Sequence, residues 1–488
     1  NTRKESVVQN HIRSVAPPCQ DISKVERLRA RAESVFCPAC KPQFPTGKER
    51  WGDYFRYVCH LIEHSYVFRE IPRGSFVPLK YDYLKRFIPA RELPLLLACL
   101  HGEGLVECDY QKRVGIKCYG YRLGPEIHDV GWTKDKLSDL DLIRKRLKYY
   151  LELEKSVTYP VDLHLLEWLE VVELDPGAVT AALETEDPDS SSYAVASIMD
   201  KSWFFSMSRY GRIYHNVATL SRSLRPYLRI HGKPIAWIDV ANSQPLFLGI
   251  LSLIRELNPD YRALFEALAS DKKLPRGRKY VSLDAALRPK PRGGSVAARR
   301  KTGEGIGQGV GEEGVGEESI TAHRGPKTFS GEGFASEKLI CKDLSRYLGL
   351  CSQGLIYERL MEISGESDRD RMKVRLYNSV LFCGDIRTPL FIAIEKEFPT
   401  VAATIREMKG IQDNALIHAL TRLEASMIYD RIVRRVMDEN HSRIGRDAFI
   451  PILTIHDAVG TTPEHLDWLR GVVKEEFAEL GFNVTVKG

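Results

Sequence analysis

The sequence predicts an α+β fold with more than one domain. Short β-branched runs end at polar residues near 235–239 and 453–457, and segments with apolar residues at helical spacing lie between and upstream of them. Residues 105–110 and 116–123 alternate like the two strands of a hairpin. At 488 residues the chain is long enough for two or three hydrophobic cores.

The composition is that of an ordinary globular protein, with 43% hydrophobic and 28% charged residues. A net charge of +6 permits an acidic partner without requiring one. Basic residues are nevertheless concentrated ahead of Asp239, at Arg209, Arg212, Arg222, Arg225 and Arg229. Such a cluster suits a phosphate-rich partner, although solvated helix faces carry similar charge runs.

Three features bear on localisation. The ten cysteines show no even framework, which favours a reducing compartment. No apolar run approaches the length of a membrane span, and the first residues do not resemble a signal peptide. We therefore expect a cytoplasmic protein that is monomeric and has no membrane partner.

Residues 1–50 are polar, charged and interrupted by prolines, which predicts a loosely ordered lead-in. Within it Cys37 and Cys40 have the spacing of zinc ligands, and Cys59, His60 and His64 could complete a tetrahedral Zn²⁺ site. The alternative is a buried helix face that absorbs Cys59, and the chain has no second Cys-x-x-Cys.

Residues 51–125 predict a winged helix-turn-helix module. Helices are expected at 53–65, 79–87 and 90–101, and the hairpin at 105–123 follows as the wing. In this arrangement one helix commonly enters the DNA major groove, and Arg86 and Arg91 could contact phosphates. Winged helices also serve as protein-docking modules, so both roles remain open.

The remaining chain divides into two parts. Residues 134–192 are predicted to be helical, and Asp187-Pro188-Asp189 with the serines that follow predicts a loop. Residues 193–488 form the densest part, interrupted at about 287–334 by a glycine-rich, charged segment. That segment has too few large apolar residues to build a core and is expected to be disordered.

Three separated elements of residues 193–488 suit one chemistry. A buried strand ends at Asp239, and another ends at His456-Asp457. Between them Arg369, Lys373 and Tyr377 are spaced by four, so one helix face carries two cations and an aromatic ring. Two aspartates could hold two divalent cations on phosphate oxygens, while the helix neutralises a triphosphate and the ring stacks on a base.

Together these elements resemble the palm and fingers motifs of family A DNA polymerases and of the related single-subunit phage-type RNA polymerases. Asp239 with Ser243-Gln244 is similar to the first palm motif, with two extra residues between Asp and Ser-Gln. The 369–377 helix matches the Arg-x3-Lys-x3-aromatic part of the fingers motif, but the closing Tyr-Gly is replaced by Leu381-Phe382-Cys383-Gly384. The 455–461 segment resembles the last palm motif in its RNA-polymerase form.

Two flanking segments extend the likeness over residues 193–488. Tyr210-Gly211-Arg212 resembles the primer–template segment ahead of the first palm motif, and 414–437 resembles the long palm helix before the last motif. The resemblance implies a right-hand fold with palm, fingers and thumb, an antiparallel palm sheet, and 134–192 as a thumb-like segment.

The resemblance also implies roles. Asp239 and Asp457 would bind two Mg²⁺ ions, and Arg369 and Lys373 would bind the triphosphate, with Lys373 able to protonate the leaving pyrophosphate. The remaining implied roles are nucleotide binding for Tyr377 and Gln244, primer positioning for His456, and nucleic-acid binding for Arg212, Arg222 and Arg225. The partners implied are a DNA template with its primer and nucleoside triphosphates.

The nature of the product stays open. Pro245-Leu246 stand where family A DNA polymerases carry a glutamate that excludes ribonucleotides, whereas Tyr377 favours the DNA enzymes. No proofreading nuclease is evident, which suits a replication, priming or transcription enzyme of a mobile element. The alternatives are a DNA-binding replication initiator or regulator with a catalytically degenerate polymerase-like domain, and a phosphohydrolase using His456-Asp457.

Overall fold

The structure is a computed structural model that describes residues 24–40, 42–68, 71–111, 118–127, 130, 132–270, 281–287, 341–382, 386–443 and 449–488. Helices dominate, and the strand ladders of these residues are antiparallel. The expected α+β class is therefore confirmed. The predicted insertion at 287–334 lies outside the described residues, except for Leu287 at the end of a short helix.

The described helices are α1 (Lys24–Glu33), α2 (Trp51–Phe68), α3 (Tyr81–Leu84), α4 (Leu93–Gly102), α5 (Leu140–Lys155), α6 (Pro160–Glu170), α7 (Gly177–Leu183), α8 (Pro188–Met199), α9 (Ser243–Leu257), α10 (Tyr261–Ala269), α11 (Leu283–Leu287), α12 (Lys342–Ser352), α13 (Ile356–Ser364), α14 (Arg369–Leu376), α15 (Pro389–Glu397), α16 (Pro399–Ile411), α17 (Ala415–Ala425), α18 (Arg434–Ser442) and α19 (Leu466–Ala478). The strands are β1 (Ser34–Pro38), β2 (Val77–Pro78), β3 (Val106–Cys108), β4 (Gly120–Leu123), β5 (Trp132–Lys136), β6 (Val172–Leu174), β7 (Phe205–Met207), β8 (Ile213–His215), β9 (Leu228–Ile230), β10 (Lys233–Pro234), β11 (Ala236–Val240), β12 (Leu453–Ile455), β13 (Ala458–Thr461) and β14 (Val486–Lys487). Two π-helical stretches, Tyr377–Leu381 and Ser426–Val433, continue α14 and α17.

In the N-terminal module, α2, α3 and α4 are followed by β3 and β4, which is the order of elements expected for residues 51–125. The strand β2 joins them in a three-stranded sheet of order β2-β4-β3. The helix expected at 79–87 is wrong in length, since α3 has a single turn that ends at Leu84. Pro89 disfavours helical geometry at the residue before it, so the chain continues as turns to α4.

The lead-in is more ordered than expected. Residues 34–38 form β1, which pairs with β5 in the register Ser34↔Lys136 to Pro38↔Trp132. Phe36 is buried, with its ring stacked 4.6 Å from that of Tyr193 and 5.4 Å from that of Trp132. The partner strand lies about a hundred residues downstream, so local sequence patterns cannot reveal this pairing.

Residues 134–192 depart from the helical prediction in two places. Residues 132–136 and 172–174 are strands, and β6 pairs with β9. The predicted loop at Asp187-Pro188-Asp189 is instead the start of α8: the Asp187 carboxylate accepts a hydrogen bond from the Ser190 N–H, and Pro188 occupies the first turn. Because α8 runs to Met199, the expected boundary at 193 falls inside a helix.

Buried apolar side chains form two clusters. The smaller is built largely from residues 32–143 and includes Trp51, Phe55 and Leu96. The larger runs through residues 161–484 but also takes in Phe36, Val67 and Phe68. The N-terminal module therefore packs against the rest of the chain through these side chains.

The C-terminal half is organised around a four-stranded sheet of order β12-β13-β11-β14. Helix α9 follows β11 directly and is buried along most of its length. The long helix expected at 414–437 is observed as α17, the π-helical stretch 426–433 and α18. It is deeply buried and, together with the sheet, frames the region described next.

Replacing Phe36 with alanine tests whether β1 joins the lead-in to the folded chain. We expect Phe36→Ala to lower the free energy of unfolding by about 3–5 kcal/mol, because a buried ring is removed from between two others. Urea unfolding followed by tryptophan fluorescence measures the loss. Leu140→Ala is the control, since Leu140 is 73% exposed and should change stability by less than about 0.5 kcal/mol. Equal, small effects of the two substitutions would contradict the β1–β5 packing.

Candidate functional site

The centre of the candidate site is the turn between β12 and β13. Ile455 pairs with Ala458, so His456 and Asp457 alone form the connection. His456 has φ +55°, in the left-handed region that non-glycine residues seldom adopt and that tight hairpin turns require. The turn thus holds Asp457 at the end of the sheet.

The neighbouring strand brings Asp239 to the same end. On β11, Asp239 lies opposite Ala458 on one side and Lys487 on the other. Adjacent strands are about 4.8 Å apart. The structure therefore brings together the two aspartates that were predicted to meet.

The pKa of Asp239 reflects how close its carboxylate lies to that of Asp457. Partial burial and the nearby carboxylate of Asp457 raise the pKa of Asp239 to about 6, against the opposing charges of Lys373 and Lys487. Asp239 keeps access to solvent. Two like-charged carboxylates at one sheet end form an acidic position that a cation would stabilise.

The donor set suits Mg²⁺, because carboxylate oxygens are the ligands that this ion prefers. Within the described ranges, no group of three or more His, Cys, Asp and Glu side chains is arranged to hold a metal ion. The site therefore offers a pair of carboxylates, and water or substrate phosphate would have to supply the other ligands.

Helix α14 presents its basic face to this end of the sheet. Lys373 is exposed and near enough to Asp239 to oppose the rise in its pKa. Arg369 donates to Glu358 at 2.8 Å and to the Asn242 side-chain oxygen at 3.3 Å. Asn242 precedes α9 in a left-handed conformation, so Arg369 ties the helix to the segment that follows Asp239.

The aromatic part of the site contains a feature that the sequence analysis missed. The chain turns π-helical at Tyr377, and the Phe382 N–H donates to the Tyr377 carbonyl at 2.8 Å. This i→i−5 bond adds one residue to the turn, and it brings the Phe382 ring centroid within 5.2 Å of that of Tyr377. Phe382 is thus an exposed ring beside the site, although it stands five residues after Tyr377 instead of four.

Tyr377 lies beside Tyr357, whose ring is 5.1 Å from the Arg369 guanidinium carbon. Burial is the main reason why the pKa of Tyr377 rises to about 12, and the charges of Asp457 and Glu424 add to it. The hydroxyl therefore stays protonated at neutral pH.

Glu424 of α17 is the second residue that sequence reasoning missed. It is 1% exposed, and it accepts a hydrogen bond from the Arg212 Nε at 2.7 Å and forms an ion pair with the Arg212 Nη2 at 2.5 Å. Gln244 donates to the other carboxylate oxygen, and Ser243 approaches that oxygen at 3.5 Å. The sequence did contain a signal for this residue, because Glu424 is an acidic residue on the apolar face of the predicted 414–437 helix.

The Arg212–Glu424 pair is electrostatically tight. Burial raises the pKa of Glu424 to about 7, and the negative charge of Asp457 adds to the rise. The positive charge of the Arg212 guanidinium lowers this pKa, but by less than burial raises it. Burial lowers the pKa of Arg212. The interactions of its guanidinium with Glu424, Tyr214 and Asp457 raise this pKa by more, so it lies above its usual value. Arg212 was expected to contact nucleic acid, whereas the structure places its charge chiefly against Glu424.

His456 borders the site from the turn, with its ring centroid 6.0 Å from that of Tyr214 on β8. Arg222 is exposed, and the Arg225 Nε donates to the Leu220 carbonyl at 3.1 Å. Arg86 and Arg91 are exposed on the N-terminal module. Within the described part of the chain, no hydrogen bond or ion pair joins these four arginines to Asp239 or Asp457.

The expected zinc ligands are only partly assembled. Cys37 lies on β1 and Cys59 on α2, and burial raises the pKa of both thiols and that of Cys40. His60 accepts a hydrogen bond from the Phe36 N–H at 3.1 Å, and His64 packs its ring 4.6 Å from that of Phe68. Zinc binding stays a prediction.

No helix among the described residues is both long enough and apolar enough to cross a membrane. Comparisons with protein-family models, with curated proteins and with solved structures give no match to this chain. The function has to be argued from the geometry of the site itself.

The raised pKa of Glu424 predicts a pH dependence of stability. The folded chain binds this proton more tightly than the unfolded chain, so the contribution to stability is full below pH 4.5 and is lost as the pH rises through about 7. Glu63, Asp162 and Asp239 also have raised pKa values, so the free energy of unfolding should fall between about pH 5 and pH 8 for several reasons. We expect Glu424→Gln to make that fall smaller by on the order of 2 kcal/mol. Urea titrations at several pH values measure it. Glu475→Gln, at a 62% exposed side chain, should leave the slope unchanged; an unchanged slope in Glu424→Gln would refute the assignment.

Proposed function

We propose that this chain is a template-directed nucleotidyltransferase, a DNA or RNA polymerase or primase-like enzyme that adds nucleotides to a 3′-hydroxyl. One observation carries the proposal: Asp239, Asp457 and Lys373 meet at one end of an antiparallel sheet. The sheet β12-β13-β11-β14 would be the palm, α14 would belong to the fingers, and residues 134–192 would be thumb-like. Replication or transcription of a mobile element is the setting that we propose.

Asp239 and Asp457 would hold two Mg²⁺ ions. When bound, these ions would supply Lewis-acid stabilisation of the charge on the attacking and leaving oxygens. The fit rests on the donor chemistry. Burial is the main cause of the raised pKa of Asp239, and a divalent cation would relieve the repulsion from Asp457 that adds to it.

The basic helix would bind the triphosphate. Lys373 is exposed beside Asp239, and Arg369 is anchored by Glu358 and Asn242. In the proposed reaction the 3′-oxygen bonds to the α-phosphorus, and the bond from that phosphorus to the bridging oxygen breaks. The hydroxyl proton leaves to water, and Lys373 donates a proton to the departing pyrophosphate.

The remaining side chains would position the nucleotide and the primer end. The rings of Tyr377 and Phe382 offer faces on which a base can stack. Glu424 holds Gln244 and Arg212 together at the start of α9, and His456 lies on the turn beside Asp457. We propose that these side chains fix the position of the primer terminus. A small displacement of the attacking hydroxyl would lower the reaction rate greatly.

The N-terminal module is proposed to bind DNA, as a winged helix. Arg86 and Arg91 are exposed and are available for phosphate contacts. The N-terminal module would hold the template and would not take part in nucleotide addition.

Primer extension tests the proposal directly. A labelled primed template is incubated with Mg²⁺ and with either deoxyribonucleotides or ribonucleotides, so that activity and sugar choice are read together. We expect extension by the wild type and a loss of at least about a thousandfold with Asp239→Asn or Asp457→Asn, since each removes a charge that stabilises the transition state.

Asp467→Asn is the matched control, because Asp467 is a 95% exposed aspartate on α19 and its loss should leave the rate unchanged. No extension by the wild type with either sugar, on DNA or RNA primers, would sink the polymerase proposal. It would favour the rival view of a DNA-binding initiator or regulator with a degenerate catalytic domain.

The pKa of Asp239 sets an expected pH profile. Its carboxyl group is protonated below about pH 6, and a protonated carboxyl cannot hold a cation. At subsaturating Mg²⁺ the extension rate should therefore fall about tenfold per pH unit below 6, and excess Mg²⁺ should shift the fall to lower pH. If excess Mg²⁺ does not shift the pH at which the extension rate falls, Asp239 is not a ligand of the metal.

A further inference from the structure

A small cavity lies where the N-terminal part of the chain packs against the rest. It has a volume of about 40 Å³, and its walls include Arg31 of α1, His60 of α2, Arg146 of α5 and Tyr193 of α8. About three water-sized particles fit in such a volume, which is roughly the size of one small oxyanion. Within the described part of the chain, no residue of the proposed nucleotide-addition site lines this cavity.

Arg146 supplies a fully buried positive charge. It is 1% exposed, and it is in no ion pair with a carboxylate of the described residues. Its Nη1 donates to the Ala32 carbonyl at 2.7 Å and its Nη2 to the Ser34 carbonyl at 3.0 Å, whereas its Nε has no hydrogen-bond partner in the described ranges. Carbonyl dipoles compensate a guanidinium charge only in part, so a positive charge remains beside the cavity.

Arg31 is the second cation of the wall. Its guanidinium carbon lies 4.1 Å from the centroid of the Tyr150 ring, and that of Arg146 lies 5.8 Å from the same ring. Burial by itself would raise the pKa of Tyr150, but the positive charges of Arg146 and Arg31 outweigh burial and lower it. The two guanidinium groups therefore act on the same small space.

His60 adds a neutral donor to the wall. Burial holds its pKa well below the usual value, and the positive charge of Arg146 lowers it further, so the ring is uncharged at neutral pH. The Nδ1 atom accepts a hydrogen bond from the Phe36 N–H at 3.1 Å. The ring proton is therefore on Nε2, which can donate to an anion.

The solvent side of the cavity is formed by Lys134 on β5 and Asp200 at the end of α8. They form an ion pair, and their side chains are 45% and 35% exposed, so a ligand can enter beside them. Asp200 is the acidic residue of the described lining. Since this one carboxylate faces Lys134, Arg31 and Arg146, two positive charges are left without a partner of opposite sign.

We propose that this cavity binds the phosphate group of a small ligand, either free phosphate or a phosphate monoester, with Arg31 and Arg146 as its main contacts. Guanidinium groups bind phosphate oxygens through charge-assisted hydrogen bonds. A phosphate group carries about 1.5 to 2 negative charges at pH 7, which matches the two uncompensated cations better than the single charge of a carboxylate does.

The site goes beyond the proposed function, because it needs neither nucleotide addition nor a metal at Asp239. Its walls come from both sides of the junction, so a bound anion holds α1 and α2 against α5 and α8. The ligand would thereby stabilise the packing of the N-terminal module on the rest of the chain.

Equilibrium dialysis of the full chain against ³²P-labelled inorganic phosphate tests the proposal. The buffer contains EDTA and no nucleotides, and sodium chloride holds the ionic strength constant, so failure of the polymerase proposal cannot affect the result. Unlabelled glycerol phosphate and acetate are added as competitors. Competition by glycerol phosphate assigns the site to monoesters as well, and its absence assigns the site to free phosphate.

We expect one phosphate per chain with a Kd of about 1 mM or lower, and an affinity at least about tenfold lower in Arg31→Gln. Arg29→Gln is the matched control on the same helix: Arg29 is 67% exposed, and this variant should bind within about twofold of wild type. Lys373→Ala should also retain binding, which separates this cavity from the proposed triphosphate site.

Hydrogen exchange of the wild type gives a readout that needs no variant. Phosphate should slow amide exchange in residues 31–36, which border the cavity. The proposal would be overturned by a lack of saturable binding, by acetate competing as well as phosphate, by an unchanged Kd in a folded Arg31→Gln, or by protection confined to residues 205–488.

Discussion

The register of the central sheet is the constraint on which the candidate site depends. Strand β13 lies between β12 and β11, and its pairing with both leaves a two-residue turn opposite the end of β11. Side chains alternate along a strand, so a slip of one residue would turn Asp239 to the other face of the sheet. The buried residues Ile238, Val240 and Val459 prevent such a slip, because it would expose them to water.

A buried ion pair then joins the sheet to the helices around it. Glu424 on α17 takes hydrogen bonds from Arg212 ahead of β8 and from Gln244 at the start of α9. Three elements that are far apart in the chain thereby share one carboxylate. Removing one partner of such a pair leaves an uncompensated buried charge, which is strongly destabilising, so the pair constrains the position of all three elements.

Both π-helical stretches lie at this site. One begins at Ser426, two residues after Glu424, and the other begins at Tyr377. Such wide turns are rare, and they occur frequently at functional sites because they redirect side chains that an α-helix would place elsewhere. At Tyr377 the extra residue brings Phe382 to its ring, so the end of α14 carries an aromatic pair.

The sequence by itself determined the α+β class, the order of the helices and of β3 and β4 in residues 51–125, the strands that carry Asp239 and lead to His456-Asp457, and the spacing of Arg369, Lys373 and Tyr377. These are local properties, set by periodicity, turn residues and β-branched runs. Tertiary structure decided what depends on partners distant in the chain: the pairing of β1 with β5, the strand β6 inside a segment expected to be helical, and the burial of Arg212 against Glu424. The helix start at Asp187 was readable from its capping pattern, whereas the π-turn at Tyr377 was not, because a one-residue change in hydrogen bonding follows from packing and leaves no local signal.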